Sequence, residues 1–112
     1  MGNERLEIRS DILKIISSNE ASRVTPFLSM IYLRLVRAPP QFWEQSNTLR
    51  FSEKREDSQR VTTAWAQLTA LVKVSPGTAR KALRWLHDQG VISYSTSNNE
   101  REIILSFEGI LR

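Results

Sequence analysis

One short stretch of this chain, between Ser75 and His87, carries positive charges and no negative charge. Arg80, Lys81 and Arg84 lie there at helical spacing, and no Asp or Glu interrupts them. Arg and Lys side chains presented in this way bind phosphate groups, and an arginine can also donate two parallel hydrogen bonds to O6 and N7 of guanine. The chemistry that these residues favour is non-covalent recognition of a polyanion.

The elements that must position these cations can be predicted from local signals. Ser75 is suited to cap a helix, Pro76 to its first position, and Gly90 to close it beyond Gln89. The apolar residues of the segment recur every three or four positions, at Ala79, Ala82, Leu83 and Leu86. The sequence therefore predicts one helix that is apolar on one face and cationic on the other.

A shorter helix is predicted just before it, over residues 64–72, with Thr63 as its cap. Only Lys73, Val74 and Ser75 separate the two helices, so they must cross steeply, as in a helix-turn-helix. After Gly90 the pattern changes to residues 91–96 as a strand, 97–99 as a turn and 100–107 as a returning strand. A hairpin directly behind the second helix is a wing.

The run from Gln67 to Ile92 resembles the helix-turn-helix core of bacterial winged-helix proteins, above all the GntR-type regulators. It is also similar to the amino-terminal domains of DnaD-like replication organisers of phages and plasmids. The resemblance implies duplex DNA binding with the second helix in the major groove. Two positions depart from the pattern: Lys73 stands where a glycine is usual, and the wing tip is Ser-Asn-Asn rather than glycine-rich.

Composition limits the possible classes of protein. The chain has 112 residues, a formal charge of +4 and no cysteine, and it has no apolar run of the roughly 18 to 20 residues that span a bilayer. Acids cluster at residues 4–11 and 53–57, away from the cationic helix. With no export signal in the first residues, we expect a cytoplasmic, nucleoid-associated protein.

We expect one domain over residues 1–112, mainly α with a small β-hairpin (α+β), as a winged helix-turn-helix with an extra amino-terminal helix. Residues 3–18 form the extra helix and 25–107 the winged-helix core, whose first helix starts at Thr25-Pro26 and ends near Arg37. Residues 17–24 are predicted to be a linker. The extra helix either pairs with a second copy, which we favour, or extends the monomer core.

Residues 41–62 carry the weakest sequence signals for secondary structure. Leu49 and Phe51 bracket Arg50 in a strand-like alternation, and the charged run 52–59 reads as an exposed loop. Residues 60–62 are the candidate for the strand that precedes the second core helix and pairs with the wing. A segment of this length suggests a protein partner or a mobile flap, although an idle insertion is an equal alternative.

No catalytic, metal-binding or cofactor-binding constellation is present. The one histidine, His87, is interpreted as a surface or capping residue, and phosphate-loop and dinucleotide glycine motifs are missing. The three tryptophans are more typical of core or subunit packing than of stacking on unpaired bases, with Trp85 against the wing or the amino-terminal helix. Arg34 and Arg37 favour helix capping over DNA contact.

The predicted DNA contacts fall into two groups. At the helix start, Ser75 and Gly77 offer backbone donors to a phosphate, and Arg80 is the candidate for reading a base. The remaining candidates are Thr78, Lys81 and Arg84 on the helix and Asn98, Asn99 and Arg101 at the wing tip. An arginine at the tip can reach the minor groove.

Three functions compete. The first is a dimeric, sequence-specific transcriptional regulator that binds double-stranded DNA. The second is a plasmid or phage replication or partition protein that binds repeated sites. The third is a winged-helix module that binds another protein.

Overall fold

The computed structural model describes residues 7–56, 60–97 and 99–111 and has helices and strands in one α+β fold, which confirms the coarse class. The helices are α1 (Ser10–Ile16), α2 (Asn19–Val24), α3 (Leu28–Val36), α4 (Ala64–Val72) and α5 (Pro76–Asp88). The strands are β1 (Glu7–Ile8), β2 (Trp43–Gln45), β3 (Thr48–Ser52), β4 (Lys54–Arg55), β5 (Val61–Thr62), β6 (Ile92–Ser97), β7 (Glu102–Phe107) and β8 (Ile110–Leu111).

The helix pair α4–α5 begins and ends where its capping residues predict. The Thr63 hydroxyl accepts from the backbone N–H of Ala66 at 3.0 Å, and the Ser75 hydroxyl accepts from that of Thr78 at 3.3 Å. Lys73 ends α4 in the left-handed region at φ 62°, the conformation for which a glycine is usual. The turn therefore keeps its shape with a side chain in the strained position.

A four-stranded antiparallel sheet, in the order β2-β3-β7-β6, supports the helices. The hairpin β6–β7 was predicted, but its neighbour is β3 rather than residues 60–62, so that prediction was wrong. β3 pairs five residues with β7, from Thr48 with Ser106 to Ser52 with Glu102, and it buries Leu49 and Phe51. A strand of two residues such as β5 offers no comparable apolar face.

β5 instead pairs with β4, Lys54 opposite Thr62 and Arg55 opposite Val61. The predicted charged loop 52–59 is therefore not all loop, because Ser52 ends β3 and residues 54–55 form one strand of a two-stranded ribbon. Residues 57–59 of that run lie outside the described part of the chain.

The amino-terminal region differs most from prediction. The segment predicted as a linker contains α2, whose cap is Ser18, with its hydroxyl accepting from the Ala21 N–H at 3.1 Å. The predicted helix 3–18 is shorter, since β1 precedes α1, and residues 3–6 lie outside the described ranges. α3 starts at Leu28, because the Thr25 hydroxyl accepts from Phe27 in a turn instead of capping a helix at Pro26.

β1 pairs with β8, which joins the two ends of the described chain. The backbone N–H of Arg9 adds a hydrogen bond to the Gly109 carbonyl at 2.9 Å. Gly109 has φ 71°, and a Cβ there would lie 3.0 Å from both Arg9 Nε and Ile12 Cγ1. Only glycine fits this position without displacing its neighbours.

The buried side chains of α1 and α3–α5 form one core with the inner face of the sheet. α1 contributes Ile12 and Ile16, which agrees with the alternative that the amino-terminal helix extends the monomer core, while its Leu13 is 43% exposed. The Tyr32 hydroxyl in this core has no hydrogen-bond partner within residues 7–56, 60–97 and 99–111, and burial raises the pKa of Tyr32 to about 12. Trp43 also packs within the chain, donating from Nε1 to the Ala38 carbonyl at 2.9 Å.

Candidate nucleic-acid interface

α5 carries the cationic face that the sequence predicts. Its apolar stripe of Ala79, Ala82, Leu83 and Leu86 is fully buried, so the opposite side faces solvent. Arg80, Lys81 and Arg84 are exposed there, together with Ser75 and Gly77 at the helix start. Thr78 is half-buried, and its hydroxyl lies 3.1 Å from that of Ser75.

On the side of α5 nearest the β6–β7 hairpin, Arg80 already has partners. Its Nη2 lies 3.4 Å from Glu100 Oε1, and its guanidinium carbon lies 4.5 Å from the centre of the Trp65 ring. Trp65 Nε1 donates to the same Glu100 oxygen at 2.7 Å. Arg80, Glu100 and Trp65, which we call the Glu100 cluster, thus connect three separate elements of the fold.

The strength of these contacts decides whether Arg80 can leave them. Arg80 and Glu100 are 47% and 53% exposed, so their ion pair is worth at most about 1 kcal/mol. An exposed cation–π contact adds about 0.5 to 1 kcal/mol. A bidentate contact with guanine discriminates by about 1 to 3 kcal/mol, so breaking the Glu100 cluster would consume much of that gain.

The tip of the hairpin is also held. Asn99 and Glu100 adopt φ values of 56° and 66°, and the neighbouring Asn98 lies outside the described residues. The Arg101 carbonyl accepts from the Glu53 N–H at 2.8 Å, and its guanidinium lies 3.8 Å from the Glu53 carboxylate. At 67% exposure, the Arg101 side chain keeps access to solvent.

The other side of α5 faces α2 and is different. Within residues 7–56, 60–97 and 99–111, no carboxylate lies within 4.0 Å of the side-chain nitrogens of Lys81 or Arg84. Trp85, on this side, shares a cleft with Ile15 and Ser18. It thus lies next to the amino-terminal helices, which is one of the two locations predicted for it, the other being the wing. Of the three cations on α5, Arg80 is paired with Glu100, whereas Lys81 and Arg84 have no acidic partner among the described residues.

Arg34 has the capping role that the sequence favoured, but it caps a different helix. Its Nη1 donates to the carbonyl of Val72 at the end of α4, at 3.0 Å. This hydrogen bond joins α3 to the turn before α5 and so helps to fix the direction in which α5 leaves.

Sequence reasoning did not identify the contribution of Glu100. It lies 20 positions after Arg80, in a segment predicted as plain strand, and the contact depends on the shape of the hairpin tip. The only signal was an acidic residue beside the tip of a wing that was expected to meet phosphates.

Further observations concern metals, membranes and relatives. Among the described residues, no group of three or more His, Asp or Glu side chains is arranged to hold a metal ion, and no helix is long and apolar enough to cross a membrane. Comparison of the chain with models of protein families, with curated proteins and with solved structures found no match.

Proposed function

We propose that this protein is a winged helix-turn-helix protein that binds double-stranded DNA without catalysing a reaction, most simply as a dimeric transcriptional regulator. The observation that carries the proposal is the exposed face of α5, where Lys81 and Arg84 have no neutralising carboxylate in the part of the chain that the structure describes. If the short strands β2, β4 and β5 are set aside, the elements follow the order α3-β3-α4-α5-β6-β7, with β3 beside β7. This order supports the proposal, since a winged helix has it.

The contacts follow from the geometry of α5. A helix of this width fits the major groove of B-DNA. Lys81 and Arg84 then contact phosphates or base edges, and the backbone N–H of Gly77 at the helix start faces a phosphate. Arg80 reads a base only after it leaves Glu100, and Asn99 and Arg101 approach the minor groove from the hairpin tip.

The decisive experiment is an anisotropy titration of a labelled duplex of mixed sequence, repeated over a range of salt concentrations. Replacing Lys81 and Arg84 together by Ala should weaken binding roughly 30-fold near 0.15 M salt and lower the salt slope by about two, because two phosphate contacts are lost. The matched control, Arg37→Ala with Lys54→Ala, removes the same charge from other elements and should change affinity little. Equal behaviour of the two double variants would contradict the proposal.

Binding to repeated sites by a replication or partition protein is the alternative within the same chemistry. A replication or partition protein should bind tandem copies of a selected site cooperatively. A simple regulator should bind each copy independently. Sequencing of the fragments that the protein selects from random DNA would supply that site.

A groove between α3 and α4 favours a second candidate, a protein-binding module. Met30, Leu33 and Leu71 form its apolar floor, and every charged residue that lines it is cationic: Arg34, Arg37 and Lys73. Charge complementarity selects an acidic amphipathic segment of a partner. Two results together would favour this function: the protein binds no duplex, and it recovers a partner protein whose binding is lost in Met30→Glu.

A further inference from the structure

We infer that the DNA backbone continues from α5 onto α2, where Arg23 is a further phosphate contact. The inference rests on the proposed function and adds to it a residue that lies 53 positions before the first residue of α5 and outside the helix-turn-helix.

An open groove of about 310 Å³ separates α2 from α5. Its lining consists of Arg23, Val24, Lys81, Arg84, Trp85 and Asp88. Arg23 is exposed, and in the described part of the chain it has no carboxylate within 4.0 Å. Among the described residues, three cations from two helices thus line one groove without an acidic partner, whereas Arg80 and Arg101, near the hairpin, each have one.

The chemistry of this groove matches a sugar–phosphate strand. Such a strand carries both phosphates and apolar faces of deoxyribose, and the groove offers both the cations Arg23, Lys81 and Arg84 and the half-buried side chains of Val24 and Trp85. Long exposed cationic side chains suit a polyanion that passes over them better than a small anion, which needs an enclosed site. The Asp88 carboxylate repels phosphates and so marks one end of the proposed path of the DNA backbone across α5 and α2, which we call the track.

α2 holds Arg23 in place although the helix is short. Ser18 caps it, and Ala21 is completely buried against the core. The backbone of Arg23 is therefore fixed relative to α5, and only its side chain must be ordered on binding.

The test uses the full chain and the labelled mixed-sequence duplex. Arg23→Ala should weaken binding roughly fivefold near 0.15 M salt, alike for all sequences, and reduce the salt slope by about one. Arg23→Lys keeps the charge and should retain the slope, while Lys54→Ala, which removes one charge from β4, should have little effect.

The outcomes separate this inference from the proposed function. If Lys81→Ala lowers affinity and slope but Arg23→Ala changes neither, the track across α2 is wrong and α5 still binds DNA. If neither variant changes binding, the proposed function fails as well. Loss of affinity in Arg23→Lys equal to that in Arg23→Ala would also overturn the inference, because the effect would then not depend on charge.

Discussion

The two sides of α5 carry the same kinds of residues but differ in what surrounds them. Towards the hairpin, Arg80 lies over Trp65 and beside Glu100. Towards α2, Lys81 and Arg84 border an open groove, and neither is paired with an acid of the described ranges. The tryptophans differ in the same way, because Trp65 is 8% exposed whereas Trp85 is half-buried. The neighbouring element, rather than the helix itself, decides which cations remain available to a ligand.

The largest expected effect concerns packing on the two sides. Trp65→Ala should lower the free energy of unfolding by about 3 to 5 kcal/mol, as expected for a buried aromatic side chain, and Trp85→Ala by about half of that or less. Urea denaturation followed by circular dichroism measures both. Similar losses for the two variants would show that the sides do not differ in packing.

A change at Glu100 tests whether the hairpin side restrains Arg80. Glu100→Gln keeps an acceptor for Trp65 but removes the charge, so it should tighten duplex binding roughly fivefold near 0.15 M salt and steepen the salt slope by about one. In an Arg80→Ala background the same change should have a much smaller effect. If the gain persists there, Glu100 acts by general repulsion of phosphates and not through Arg80.

The smallest effect is a shift in the titration of Tyr94, which reports on the hairpin side. Burial raises the pKa of Tyr94, and Glu100 raises it further, while Arg80 and Arg84 lower it. Tyr32→Phe leaves Tyr94 as the one tyrosine of the chain, so the ultraviolet absorbance of its phenolate can be followed alone. In that background Glu100→Gln should lower the pKa of Tyr94 towards 10.0.

The direction of this shift also sets how stability depends on pH. A phenol whose pKa is higher in the folded state stabilises the fold fully below pH 10, and this contribution is lost as the pH rises through the folded value. An unchanged Tyr94 titration in Glu100→Gln would place Glu100 farther from the ring than the structure does.

Capping residues and other local sequence signals predicted those elements whose ends carry them. Thr63, Ser75 and Pro76 specify where α4 and α5 begin, because a cap hydroxyl and a proline act within one turn of the chain. α2 was missed because it buries only Ala21 and so shows no apolar periodicity. Its signal was Ser18, a capping residue, followed by Glu20 in the first turn.

Pairings between distant segments could not be predicted in the same way. Leu49 and Phe51 indicated a strand, but which strand joins the hairpin depends on how much apolar surface each buries, and β3 exceeds β5 in that respect. The cationic residues of the candidate site were identified from sequence. Glu100, the acid that pairs with Arg80, was not identified, because it approaches Arg80 only after the hairpin has formed.

The pairing of β1 with β8 has a mechanical consequence. Glu7 lies opposite Leu111 in an antiparallel ladder, so a force that pulls these two residues apart loads the hydrogen bonds one after another, as in a zipper. Because its hydrogen bonds break one at a time, the β1–β8 pairing should open at a lower force than the helices and the central sheet.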